Sequence, residues 1–513
     1  MATACTAPGA GRVLDKRKPK GLPKALHFVP GDAMGWMLLD TDAGSRRWAA
    51  IDGATGEPTS EHELDSLFLR VFGADLDRGE MVDPWIGASA GVALMGVDVD
   101  APDSQLAFAE VRSRGKLERA LRDGGWVRAK RQLGGGDLAG ELTLYEPKAH
   151  RDAPRLATIA ISDDVLLAAA STKGLEAILA DTDEYAADER KATSDYTVTA
   201  LSRVPAAIVF RSDIIRDQAR RFVADDPALL EVSAWLVRTP FVSAMRDGWI
   251  GLAPPTSAQV GSGDIRIVGS FDWLKDIADP VRPKPAPAAL LNELPGDTTA
   301  AIALHNPGQY GASVIDAITG GGSSFATKLD GTTSTSPVQL FDVLDNLNGD
   351  AGIAFTERGV LEARVRSADA DKVAQDVNTI SRDLKLPALS GEARTGAVVV
   401  RASIPPTTDA DVMDVIVRSD ATDRVADLAA AGKPPRTPVA WLWLRDTDAC
   451  GKEDAAPADG APQVELMQRE PDPIAGWVTY DGTIRMSISL AMPVEAIRCA
   501  SDAPRGFQSL FLD

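Results

Sequence analysis

Apolar runs of strand length recur along the chain, separated by turn residues, and helical spacing intervenes only after pairs of such runs. Arg155 to Ile161 and Val165 to Ala170 are two runs divided by Ser162, Asp163 and Asp164, which predicts an antiparallel hairpin. Lys116, Leu117, Ala120 and Leu121 carry the i, i+3, i+4 spacing of one helix, and Val373, Val377 and Ile380 repeat it later in the chain. Two strands followed by a helix predict an α+β fold: a large, mainly antiparallel sheet with helices on one face. A doubly wound parallel sheet needs strict strand-helix alternation, which the pattern lacks.

The pattern also predicts a duplication. Val29-Pro30-Gly31-Asp32 and the run to Leu39 recur as Leu294-Pro295-Gly296-Asp297 and the run to Leu304. In the same order, Gly91-Val92-Ala93-Leu94 matches Gly352-Ile353-Ala354-Phe355, and Glu110 to Ser113 matches Arg364 to Ser367. Val165 to Ser171 with a helix to Ala180 is set against Val412 to Ser419 with a helix to Ala430. Finally Gly248-Trp249-Ile250 with Ile265-Arg266-Ile267 answers Gly476-Trp477-Val478 with Ile484-Arg485-Met486. So long a period implies two homologous domains, because solenoid repeats run about 20 to 50 residues. The spaced prolines of 279–287 block both helix and central strand and mark a linker between domains at 24–278 and 288–513, with residues 1–23 as an N-terminal tether.

Composition narrows the functional classes. The chain of 513 residues is 44% hydrophobic, enough for a large core without disulfides or metals. With 74 acidic against 54 basic residues its net charge is -20, which opposes nucleic acid as a partner. No run approaches the roughly 18 apolar residues of a membrane span, so membrane association would need an anchor.

The N-terminus offers one. Ala2-Thr3-Ala4-Cys5 resembles the end of a bacterial lipobox, in which small residues precede a cysteine that takes diacylglycerol on its thiol. A Pro- and Gly-containing tether follows, then the basic cluster Arg12, Lys16, Arg17, Lys18, Lys20 and Lys24, each worth about 1 kcal/mol near anionic headgroups. The alternative is an ordinary cytoplasmic N-terminus. If Cys5 is lipidated, Cys450 and Cys499 remain as an even pair, able to close a disulfide through the last hairpin; the alternative is two free thiols.

Catalytic and cofactor motifs do not survive their context. Gly87-Ala88-Ser89-Ala90-Gly91 fits the nucleophile elbow, but Val92 to Val97 after it reads as strand where an elbow needs a helix. Asp446 to Gly451 opens like a calcium loop, yet its twelfth position is Pro457 and not Glu. His27, His62, His150 and His305 lack a short two-histidine spacing, and there is no phosphate loop. No cofactor or metal is therefore expected, and no catalytic residue. Trp441 and Trp443 alternate onto one sheet face, where an exposed pair would contact a sugar or apolar ligand.

The Leu/Val-Pro-x-Asp lead-in, Asp83-Pro84-Trp85 with Gly87, and the hairpin and helix from Asp164 to Leu179 resemble a bacterial family known only as a domain of unknown function. Its members are secreted or membrane-anchored proteins of high-GC Gram-positive bacteria. The resemblance spans the chain from about Leu22 onward and implies an extracytoplasmic location with no catalytic residues to carry over. The expected function is then a lipid-anchored surface protein that binds a ligand or envelope protein in the interdomain groove. The alternatives are a structural component of the envelope and an enzyme with dispersed carboxylates. Mass spectrometry of the native protein should find diacylglycerol on Cys5 and a Cys450–Cys499 linkage; a free Cys5 thiol with Met1 retained would exclude the anchor.

Overall fold

The computed structural model describes residues 24–31, 33–55, 58–73, 77–96, 104–130, 132–133, 142–148, 156–184, 187–215, 245–254, 264–273, 283–311, 340–383, 389–403, 424–445, 473–481 and 485–493. The fold is α+β, built on one antiparallel sheet of 18 strands among those residues. The first half supplies β1 (Gly35–Asp40), β2 (Ile86–Leu94), β3 (Gln105–Val111), β4 (Trp126–Arg128), β5 (Thr143–Pro147), β6 (Thr158–Ile161), β7 (Val165–Ala169), β8 (Ala206–Phe210), β9 (Met245–Ala253) and β10 (Asp264–Trp273). The second supplies β11 (Thr298–His305), β12 (Asp350–Thr356), β13 (Val360–Arg366), β14 (Leu389–Arg394), β15 (Ala397–Ser403), β16 (Pro438–Leu444), β17 (Ile474–Tyr480) and β18 (Arg485–Pro493).

Strand pairing places the halves edge to edge. Outward from β10 the neighbours are β9, β8, β1, β2, β3, β7, β6, β5 and β4. Outward from β18 they are β17, β16, β11, β12, β13, β15 and β14. β10 and β18 pair with each other from Asp264↔Pro493 to Asp272↔Arg485, with Gly269 opposite Ile488 near the middle. Among the described residues the sheet is continuous across the two halves; of the linker expected at 279–287, residues 279–282 lie outside them. Ala286, inside that segment, is buried, and its N–H donates to the Pro438 carbonyl at 3.0 Å.

The register places several landmarks alike and displaces two. Leu38 faces Gly91 as Ala303 faces Gly352. Gly91 faces Phe108 whereas Gly352 faces Arg364, so Arg364 takes the place of Phe108, two residues from the expected Glu110. The strand standing beside β13 as β7 stands beside β3 is β15, not Val412 to Ser419, which lies outside the described residues.

Helices cover both faces of the sheet, not the one that the pattern predicted. The reason lies in strands such as β1 and β7, whose side chains are buried on both sides and therefore need cover on both. On one face α1 (Arg46–Thr55), α2 (Thr59–Phe72), α3 (Arg78–Met81) and α4 (Arg114–Asp123) enclose Met37, Leu39, Val92 and Ala107. There Phe68 meets Trp85 edge-on at 6.1 Å. On the other face α5 (Thr172–Glu184), α6 (Ala187–Arg203) and the 3-10 turn Lys24–Phe28 enclose Trp36, Leu38, Val209 and Trp249.

The second half is covered more thinly. α7 (Leu340–Asn346) and α8 (Ala370–Asp383) close over Ala351, Val365 and Val398 on one face. On the other, the 3-10 turns Ala288–Glu293 and Leu428–Ala431 flank α9 (Arg424–Asp427) over Ala303, Ala354 and Trp443. Arg424 is buried there, donates to the carbonyls of Leu291, Leu294 and Pro295, and lies 5.0 Å from the Trp443 ring centre.

On β10, a Cβ on Gly269 would stand 2.6 Å from the Trp249 carbonyl oxygen and 2.8 Å from Ile250 Cγ2 of the neighbouring β9. Gly269→Val should therefore force β9 and β10 apart and cost about 1–3 kcal/mol, read as a lower urea midpoint with an unchanged slope. A midpoint equal to that of the parent would show that the β9–β10 pair tolerates a side chain there.

Candidate functional site

The seam strands bring residues far apart in sequence onto one face. Antiparallel partners share a face, so Trp249 and Ser270 on β9 and β10 stand beside Ser487 of β18, and Asp272 stands beside Arg485. Helix α6 passes over this floor and contributes Asp195, Tyr196, Val198, Thr199 and Arg203. Between helix and floor lies a cavity of about 560 Å³, lined by these residues.

Its charges are partly matched. Arg485 Nε approaches Asp272 Oδ1 at 3.4 Å, and its guanidinium lies 5.8 Å from the Tyr196 ring centre. Burial works against the Arg485 charge, but Asp272 and the phenol outweigh it and raise its pKa. Burial, followed by the hydrogen-bonding influence and charge of Asp272, pushes the Tyr196 phenol up, so it keeps its proton at neutral pH. Arg203 lies 5.9 Å from the Trp249 ring centre and has no ion pair among the described residues. Trp249 is 1% exposed, and its Nε1–H meets no acceptor among the described residues. Such a buried donor costs about 1–3 kcal/mol of lost hydration.

Beside the cavity, on the same strand face as Trp249, is Asp247. Arg211, itself well buried, approaches Asp247 at 3.8 Å and Asp213 at 3.7 Å. Burial, then the charge of Asp213, pushes the Asp247 carboxyl up to about 6. Among the described residues no three His, Cys, Asp or Glu side chains are grouped to hold a metal.

The residues singled out from sequence are placed differently. Trp441 and Trp443 share a face, but the indoles serve the protein's own packing and form no open platform. Trp443 is 3% exposed with Nε1 on Asp427 Oδ2 at 2.7 Å, and Trp441 Nε1 donates to the Ala286 carbonyl at 2.8 Å. Ser89 sits inside β2 and is 1% exposed, which removes the elbow geometry. Cys5, Cys450 and Cys499 lie outside the described residues. Trp249 was visible as a landmark, but nothing local in the sequence ties it to Tyr196, Asp272 or Arg485.

No family model and no curated protein matches this chain. A solved structure, crystal form I of TP0453, is similar over 49% of this chain and 79% of that one, at 10% identity and a TM-score of 0.26, a likeness too slight to bear on fold or function. Among the described residues, no helix is long and apolar enough to cross a membrane.

A carboxyl whose folded pKa lies above its unfolded value of 3.8 lowers stability as pH rises towards about 6, because the folded state then surrenders a proton it holds more tightly. Asp247→Asn should therefore stabilise the protein at pH 7 by about 1–3 kcal/mol and leave it unchanged near pH 3.5. Equal effects at both pH values would place the Asp247 charge in water.

Proposed function

We propose that this protein is an extracytoplasmic, lipid-anchored binding protein, made of two copies of one fold joined edge to edge, and that it takes a small ligand in the seam cleft. One observation carries the binding reading: a cavity of about 560 Å³ at the junction of the halves abuts a buried indole donor and an arginine, neither of which has a hydrogen-bond or ion-pair partner among the described residues. Sites for small molecules commonly fall between about 300 and 1,000 Å³ and favour such junctions. Aromatic bodies and a few fixed polar groups suit recognition, and the cleft supplies both through Trp249, Tyr196, Arg203 and Asp272. The anchor rests on the sequence around Cys5 alone.

A second reading, a structural component of the envelope, is favoured by an apolar row on the opposite face. Leu361, Phe355 and Leu444 are 42%, 39% and 42% exposed, and pairing through Ala300 brings them side by side across β13, β12, β11 and β16. Acid chemistry by dispersed carboxylates has less support, since Asp247 faces Arg211 and Asp213 in a tight cluster.

Filling the cleft separates the first two readings. Thr199→Trp, on the inner side of α6, should leave the melting temperature near that of the parent while abolishing any small-molecule mass that native mass spectrometry finds on protein taken from its own cells. The same bound mass on both proteins, or none on the parent, would turn the choice to assembly.

A further inference from the structure

We propose that the cleft recognises a small monocarboxylate carrying hydroxyl or ammonium groups, its carboxylate accepting from Trp249 Nε1–H with the guanidinium of Arg203 as counter-charge; this rests on the binding reading above.

The second half of the protein indicates what the first half lacks. About the central β10–β18 pair, each half places a tryptophan one strand out, opposite a serine: Trp249 faces Ser270, and Trp477 faces Ser489. Each half also sends one arginine from its central strand towards the other half's cover. Arg266, opposite Ala491 on β18, reaches the Ala431 carbonyl at 3.5 Å, while Arg485, opposite Asp272 on β10, lies against Tyr196 of α6. The two sets of three residues therefore occupy corresponding places.

In the second half all three donors converge on carbonyls at the end of the 3-10 turn Leu428–Ala431. Trp477 Nε1 donates to Gly432 at 2.8 Å, Ser489 Oγ donates to Ala431 at 2.7 Å, and Arg266 joins at the same oxygen. In the first half the cover at that place is α6, and the cavity lies between the helix and the floor. Ser270 turns instead to the Met486 carbonyl, Arg485 turns to Asp272, and Trp249 Nε1 has no acceptor among the described residues. What satisfies Trp477 is a carbonyl oxygen, so what completes Trp249 is an oxygen acceptor brought by the ligand.

The surrounding charges choose the kind of acceptor. Arg203 and Arg485 together favour an anion over a neutral carbonyl, and a guanidinium matches a carboxylate with two parallel donors. Asp195 on the helix and Asp272 on the floor oppose a doubly charged phosphate and offer acceptors to hydroxyl or ammonium groups elsewhere on the ligand. The exposed Arg203 side chain, which now lies over the indole, turns at little cost to admit the carboxylate.

The test uses the full chain with ¹⁵N-labelled tryptophan, the Trp249 indole signal being identified by its loss in Trp249→Phe. Glucuronate and glutamine serve as hydroxyl- and ammonium-bearing carboxylates, and glucose and inorganic phosphate as controls. Either carboxylate should move the Trp249 signal downfield in a saturable way, the one that does so identifying the source, while both controls leave it in place. Arg203→Gln should weaken that binding tenfold or more, and Arg203→Lys should restore part of it. An unmoved signal with both carboxylates, an equal response to phosphate or glucose, or undiminished binding by Arg203→Gln overturns the proposal. If native protein still carries a cleft-dependent mass in those cases, the binding reading stands and only the carboxylate falls.

Discussion

The pairing of β10 with β18 is the constraint on which the rest of the molecule depends. Without it each half would present a long open edge, a liability that proteins otherwise blunt with charge, bulges or cover. With it, the backbone groups of both edges are satisfied in one ladder, and the eighteen strands of the described residues share one sheet. Small residues meet across the pair, where Ser270 faces Ser487, and on the other side of β10 Gly269 sits where a Cβ would strike the Trp249 backbone of β9. It also fixes the distance between the coverings of the two halves, because α6 rests on β8 and β9 while the turn Leu428–Ala431 rests on β17 and β18.

The cleft follows from unequal cover on a similarly ordered sheet. The first half carries full helices on both faces, with Trp36 Nε1 tied to Thr197 of α6 at 3.1 Å. On the Trp443 face the second half has instead short turns pinned by Arg424, whose donors meet the carbonyls at the end of the turn Ala288–Glu293. The turn Leu428–Ala431 and Gly432 after it meet Trp477 and Ser489 directly, whereas the longer α6 lies over Trp249 with the cavity beneath it. The cavity thus lies where corresponding positions of the two halves are finished differently. On the proposed reading, polar atoms that one half satisfies internally would be satisfied in the other by a ligand.

Much of this was legible in the sequence and some was beyond it. The helices around Leu117 and Val377 and the hairpin at Ser162 to Val165 appear as the spacing predicts, because amphipathic period and turn chemistry are local. The glycine pair Gly91 and Gly352 and the tryptophan pair Trp249 and Trp477 mark corresponding places, because close strand contact and seam packing restrict residue choice there. The joining of the halves was not legible, since strand pairing between residues more than 200 positions apart leaves no local signature. Nor was the site. Its donors and carboxylates come from α6, β9, β10 and β18, and the arginines and aspartates involved read individually as ordinary surface charge. Helices on the second face were missed because a strand such as Val165 to Ala169, apolar throughout, does not declare from its own pattern which face is covered.

Amide hydrogen exchange across the seam tests this account most directly. If the β10–β18 ladder holds the sheet together and positions the cleft, the amides of Ile265 to Phe271 should exchange only through global unfolding. They should then rank with the interior strands β1 and β2, and far slower than the edge strands β4 and β14. Exchange in β10 and β18 that is as fast as at the edges, while β1 and β2 stay protected, would mean that the halves separate readily, and the seam would cease to be the element that builds the site.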